Sequence, residues 1–338
     1  MMEAARRDLA RMRESEEAWQ ELRYQPTPDT SDANEVRRAK VLWALQYDRQ
    51  AGDLPLLRYL AEQEARYRSE EQGLGEAAEL AGFLLAGHRQ PEDVWRHHAI
   101  KRANFDAGCA YDVEHLFAAG VQATLDHVRA SDHPDRDDVL EMLRSHDLDD
   151  EDLAEWWEHR CEYFPADPAD EDALTLVERA TLAGEKELAR AELDRWLQDR
   201  ERDEATLDLL RFHLIELGEL AEAAQVAREG LAFVSGDRAM ALQRLASLER
   251  RSGNHRAAWE ALRECPREPV SSGGFVRELF FLARRAEQEL AREVFAEADR
   301  QARDVPRLPP VVLRAAVEAA DRIGDQAAAE YYRELLDR

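Results

Sequence analysis

The chain has 338 residues, of which 44% are hydrophobic and 35% charged, enough apolar content to build a core in one large domain or two ordinary ones. Its formal net charge of -26 repels nucleic acid and anionic lipid at long range, which argues against both as partners. Three cysteines, at 109, 161 and 265, are too few and too scattered for a disulfide framework or a cysteine zinc knuckle. With no apolar h-region at the N-terminus and no run of eighteen apolar residues, the chain reads as cytoplasmic, with no signal peptide and no membrane span.

Ala, Leu, Glu and Arg dominate, and all four favour helix. No alternating Val/Ile/Thr/Tyr run and no Asn-Gly turn marks a strand. In chain order the patterning predicts helices at 3–24, 34–50, 54–71, 75–86, 91–104, 109–119, 121–130, 135–144 and 149–161. After the PADPAD stretch at 165–170 they continue at 172–183, 186–199, 204–217, 220–234, 238–252, 255–264, 274–285, 287–302, 310–323 and 326–337. Helices of three or four turns joined by short links read as an all-α fold of stacked antiparallel pairs, an α-solenoid. Two regions are expected: a helical N-terminal region at 1–165, of degenerate repeats or a cap, and a repeat domain of about five pairs at 171–338.

The second half carries a repeat. Gly184, Gly218, Gly253, Ala286 and Gly324 each close one helix and open the turn to the next, at intervals of 34, 35, 33 and 38 residues. Five residues after each stands an alanine: Ala189, Ala223, Ala258, Ala291 and Ala329. The small turn residue lets the chain reverse, and the alanine lets two helices approach closely. A larger residue follows four on at Leu193, Leu262 and Phe295, whereas Ala227 and Arg333 stand there in the second and fifth units. Around them, Leu207, Leu210, Leu220 and Leu231 in the second unit, and Ala173, Leu176 and Trp196 in the first, sit at matching offsets.

This pattern resembles the tetratricopeptide repeat over about residues 170–338. The helix-A glycine of that family is replaced here by Val177, Arg211, Ala246, Leu279 and Val317. The resemblance implies a non-enzymatic scaffold or adaptor that binds a protein or peptide on the face of the A helices. Carried onto this chain, that face takes in Phe212, Ile215, Met240, Gln243, Arg250, Arg251, Phe280 and Arg284. Phe212, Met240 and Phe280 are expected to form an apolar ladder beside the basic residues. A Lys/Asn-rich clamp for a carboxy-terminal carboxylate is missing.

Eight of the ten histidines lie between 88 and 159. Within this region His98, Arg102, Cys109, Asp112 and His115 form an alternative polar site. Trp95, His98 and Arg102 share one helical face by spacing of three and four, and Asp112 and His115 share another. A Cys–His pair is chemically sufficient for a nucleophile, with Cys109 as thiol and His98 or His115 as base. The motifs for a metal or cofactor are missing: there is no HExxH, no repeated ExxH, no CxxC and no glycine-rich phosphate loop, so neither is expected. A buried histidine network is the competing reading of the same residues. A ligand-sensing regulatory module and a metal-dependent or Cys/His enzyme with its site in 91–133 are the alternatives to the scaffold.

The span 126–170 holds 16 acidic against 4 basic residues. It reads as a solvated face, as a docking surface for a basic peptide or protein, or as a weak divalent-cation site of hard oxygen ligands. Trp156, Trp157, Tyr163 and Phe164 beside it are expected to pack the last N-terminal pair against the repeat domain. The SSGG at 271–274 is expected to be a loose joint.

Overall fold

A computed structural model describes residues 2–266 and 272–337. Among these residues there are helices and turns and no strand. The chain forms two compact units, Met1–Leu188 and Ala189–Arg338. The division falls after Leu188 rather than at the PADPAD stretch, because α10 (Ala173–Leu182) is tied into the first unit by its own arginine. Arg179 is buried there and donates to Gln46 Oε1 at 3.0 Å, Tyr47 Oη at 2.8 Å, Glu76 Oε1 at 2.8 Å and Glu171 Oε2 at 3.1 Å.

The first unit opens with α1 (Met2–Glu14). The single helix expected over 3–24 is broken at Ser15, whose side chain caps a 3-10 helix at Glu16–Leu22. Then come α2 (Glu35–Tyr47), α3 (Leu54–Glu70), α4 (Glu76–Ala86) and α5 (Val94–Lys101). The helix expected at 109–119 is instead α6 (Phe105–Ala110) followed by a 3-10 helix at Val113–Phe117. Asn104 caps α6, its side chain accepting from Ala107 N at 2.8 Å. α7 (Val121–Ala130), α8 (Arg136–Ser145) and α9 (Asp150–Tyr163) complete the run before α10.

Two cores form in this unit. One gathers α1 to α4 around Leu9, Trp43, Leu60 and Phe83. The other joins the 3-10 turn at 113–117 to α7 and α8 through Val113, Phe117, Val128 and Val139. The aromatic run of α9 packs inside this unit. Phe83 stacks on Trp157 at 4.9 Å and on Phe164 at 5.3 Å between centroids, while Tyr163 is exposed. Trp157 and Phe164 thus pack against α4, and Trp156 meets His115 edge-on at 4.7 Å, in place of the expected packing against the repeat domain.

α11 (Lys186–Leu197) crosses the division. The second unit continues with four complete helix pairs. They are α12 (Glu204–Leu217) with α13 (Leu220–Gly230), α14 (Arg238–Arg251) with α15 (His255–Glu264), α16 (Ser272–Ala283) with α17 (Gln288–Ala302), and α18 (Pro310–Ile323) with α19 (Gln326–Leu336). Each partner packs most closely on its neighbour in sequence, which is the arrangement of an all-α helical solenoid.

The repeat reading accounts for the turns. Gly218, Gly253 and Gly324 have φ of 81, 89 and 82°, a left-handed conformation that favours glycine. One backbone bond recurs across them: Glu219 N to Leu214 O, Asn254 N to Glu249 O and Asp325 N to Ala320 O. Ala286 closes its turn without positive φ, and α16 stops three residues before it. All five repeat alanines are fully buried. Bonds about 34 residues apart join successive pairs: Trp259 Nε1 donates to Glu293 Oε1 at 2.9 Å, and Tyr332 Oη to Asp299 Oδ1 at 2.8 Å. Of the expected joint at 271–274, Ser271 lies outside the described residues and the remainder opens α16.

Candidate functional site

The A-helix face is built by residues that α12 and α14 turn away from their B helices. Leu209 and Phe212 lie three apart on α12, so they share a face. They are 43% and 52% exposed, and Met240 at the start of α14 is 47% exposed. Ile215 and Gln243 are half-buried and Arg251 is exposed. α14 packs on α16 and α16 on α18, whereas α12 and α14 stand further apart. A cleft of about 310 Å³ opens there, with Asp208, Arg211, Met240 and Arg244 on its walls and Val226 and Leu231 at its base. Asp208 and Arg211 pair at 3.0 Å across one turn.

The expected ladder stops at the second ring. Phe280 is fully buried and meets Phe295 and Tyr332 edge-on at 5.8 and 5.3 Å. Phe212 and Phe280 both precede their turn residue by six positions, but the turn at Ala286 is not the glycine turn. α16 is packed on α14 and on α18, so the position that lies open on α12 is covered on α16. The neighbour of Phe280, Phe281, is half-exposed, flanked by the guanidinium groups of Arg250 at 5.4 Å and Arg284 at 4.8 Å from its centroid. These two arginines are engaged within the fold rather than left as a basic flank: Arg250 pairs with buried Glu278 at 3.1 Å and Arg284 with Glu318 at 3.3 Å.

The alternative polar site separates into two clusters. In the first, His98 Nε2 lies 2.8 Å from Asp138 Oδ2, and Arg102 Nε donates to the same oxygen at 3.0 Å. Hydrogen bonds from Arg102 and then His98 hold the Asp138 carboxyl below its usual range. Trp95 stacks beside them on His133 at 4.0 Å. This cluster fastens α8 to α5.

In the second cluster, Tyr111 is the hub. Its hydroxyl meets His97 Nδ1 at 2.8 Å, and its ring stacks on His115 at 4.2 Å. Gly82 makes room for it, since a Cβ there would lie 2.0 Å from the hydroxyl oxygen. His115 Nδ1 lies 3.2 Å from the Asp112 carbonyl, and His115 Nε2 is buried with no hydrogen-bond partner. The Asp112 carboxylate accepts from Trp156 Nε1 and pairs with Arg160, each at 2.9 Å. Burial drives the His97 pKa down to about 3, and burial followed by the nearby His97 drives that of His115 well below its ordinary value. Both imidazoles are therefore neutral at physiological pH. Burial pushes Tyr111 well up. Cys109 is exposed at the end of α6 and joins neither cluster, so the thiol–imidazole pairing expected for a nucleophile is not assembled. Among the described residues no group of His, Cys, Asp and Glu is arranged to hold a metal ion.

Sequence reasoning passed over the buried charge networks. Arg38 is fully buried with Asp32 at 2.5 Å and Glu64 at 2.7 Å. The signal for both Arg38 and Arg179 was a lone arginine within an apolar helical stripe. Part of the acidity at 126–170, though exposed, is engaged by the backbone: Asp149 and Asp152 form a capping box on α9, and Asp150 accepts from Val121 N at 3.2 Å.

No family model, curated protein or solved structure matches the chain. What the fold itself defines is an all-α helical-repeat protein, and no helix among the described residues is long and apolar enough to cross a membrane.

Proposed function

We propose that the chain is a non-enzymatic helical-repeat adaptor, built on tetratricopeptide-like pairs, that binds a protein or peptide in the cytoplasm through the α12–α14 face. The observation that supports this most is a cleft lined by Met240 and by Asp208 and Arg211 of α12, together with the large apolar side chains Leu209 and Phe212 exposed on the same helix α12. Such residues stand at the centre of interfaces, where a few buried anchors carry most of the affinity. Paired charges at the cleft, Asp208 with Arg211, supply a polar rim. The partner is a segment with apolar anchors, extended or helical, matched to a groove with charges of both signs.

The test is capture of partners from native lysate by the wild-type chain and by the double variant Phe212→Ala, Met240→Ala, with melting temperatures measured on both. The expected result is at least tenfold weaker capture at an unchanged melting temperature. Equal capture by a stable double variant would remove this face from the reading.

A further inference from the structure

The first unit contains a second cleft, unrelated to the face just described, of about 420 Å³. That falls within the roughly 300–1,000 Å³ of small-molecule sites. Its wall is largely apolar, with Leu45, Leu57 and Leu84 around the stacked pair Phe83 and Trp157. Gly87 lets the indole lie close over the end of α4, since a Cβ there would stand 3.2 Å from the Trp157 ring.

Four polar side chains complete the lining, the neutral Gln50 and three titratable ones that differ in how far their charge is spent. Asp53 is fully used: Arg13 grips its two oxygens at 2.8 Å each, and Gln50 N donates to it at 2.8 Å. His88 is held toward its neutral form by burial. Arg49 is different. Its Nε donates to Gln46 O at 2.9 Å and one terminal nitrogen donates to Phe164 O at 3.0 Å. Its guanidinium carbon lies 5.0 Å from the centroid of Phe83. Two carbonyls and a ring thus fix its direction without neutralising it. Burial lowers its pKa, the Cys161 thiol opposes that shift, and among the described residues no carboxylate acts on it. In a chain of 72 acidic and 46 basic residues, this is an oriented cation at an apolar cleft with its other terminal nitrogen unspent.

We infer that the Phe83–Trp157 cleft binds a small organic carboxylate with a planar apolar body. The body enters between Trp157 and the leucines beside Phe83, and the carboxylate meets Arg49 at the mouth. Arginine suits this task because its planar fork stays charged and donates in a fixed direction. A neutral analogue of the same shape gains the apolar contact and forgoes the ion pair. A cationic analogue is repelled.

The experiment is calorimetric titration of the full chain with naphthalene-1-acetate and, separately, naphthalene-1-acetamide. The acetate is expected to bind at least tenfold more tightly than the amide. Arg49→Gln should bring the two together, while Arg49→Lys should keep most of the difference. Circular dichroism on each variant confirms folding. A second readout stands on the wild-type cleft itself: binding of the acetate should change tryptophan fluorescence, and Trp157→Phe, which keeps an aromatic ring against Phe83, should abolish most of that change. No binding of either probe by the wild type, equal binding of both, a preference that survives in Arg49→Gln, or a fluorescence change that survives in Trp157→Phe would each overturn the inference. None of these outcomes bears on the α12–α14 face.

Discussion

Replacing Gly82 by alanine gives the sharpest test of the buried hub in the first unit. Residue 82 is in the body of α4, where helix propensity alone predicts that Gly→Ala stabilises by about 1 kcal/mol. The surroundings reverse the sign. A Cβ at 82 would lie 2.0 Å from the Tyr111 hydroxyl and 2.8 Å from two of its ring carbons, so the ring must move. Tyr111 is fully buried and stacked on His115, so it has no free direction in which to retreat. Overpacking of this kind costs about 1–3 kcal/mol. Displacing the hydroxyl also breaks its contact with His97 Nδ1 and leaves a buried polar atom unpaired, for about 1–3 kcal/mol more. Net of the propensity gain, Gly82→Ala should destabilise the chain by about 1–5 kcal/mol. Urea titration followed by circular dichroism reads this as a lower midpoint at unchanged slope for the first unit. The double-mutant cycle with Tyr111→Phe isolates the cause. With the hydroxyl gone, alanine at 82 should cost at least about 1 kcal/mol less than in the wild type. A rise in midpoint for Gly82→Ala, or strict additivity with Tyr111→Phe, would refute the packing argument.

Acid should unfold the first unit early. The ordinary histidine value of 6.5 holds for His97 in the unfolded chain, and burial lowers the folded value to about 3, so the unfolded state takes up the proton first. The stability that depends on neutral His97 is complete above about pH 6.5 and is lost progressively as pH falls toward 3, amounting to about 2 kcal/mol by pH 5. His115 acts in the same direction. Urea midpoints between pH 8 and pH 5 check this, and His97→Gln should flatten the profile. In the second unit, Phe280→Ala should cost about 3–5 kcal/mol because it empties a core site between Phe295 and Tyr332. Phe212→Ala, at an exposed position, should stay within about 0.5 kcal/mol. Thermal melts of the two variants compare a core ring with a surface ring at the same offset from the turn.

The repeat was legible because it rests on backbone needs that only particular residues meet. A left-handed turn favours glycine, and Gly218, Gly253 and Gly324 show that conformation. A close helix crossing needs a small side chain, and the alanines five residues on are all buried. The helices at 204–217, 255–264 and 310–323 have their expected bounds: α12 and α18 end at the left-handed Gly218 and Gly324, Asn254 precedes α15, and prolines open α18. Asp203 caps α12 by accepting from Thr206 N at 2.9 Å. The first half was less legible because its breaks are local. Ser15 follows the end of α1 and caps the next helix; it is neither glycine nor proline, and periodicity runs across it. Asn104, expected as the last residue of a helix, instead caps α6, which begins four residues before the expected 109.

Side-chain direction was legible only as far as the turn geometry repeats. Counting back from the turn residue places Phe212 at the surface correctly, and the same count places Phe280 there wrongly. The error enters at α16 itself, which is packed on both α14 and α18, so that Phe295 and Tyr332 cover the ring. A shift of one residue along a helix rotates a side chain by about 100°. That is enough to exchange Phe280 in the core for Phe281 at the edge. The histidine cluster failed for a related reason. Spacing correctly put His98 with Arg102 and Asp112 with His115, since both pairs act together within their own segment. It could not reveal that Asp138, 36 residues beyond Arg102, gathers the first pair, or that Trp156, 44 residues beyond Asp112, claims the second. Local spacing reports which residues share a face. Which charge completes that face is decided by the helix packed against it, and in this chain the completing partners are drawn from the acidic and aromatic stretch of α8 and α9. The acidity that looked like a surface for a basic partner is thus partly the internal counter-charge of the first unit, and only its unspent remainder is open to docking.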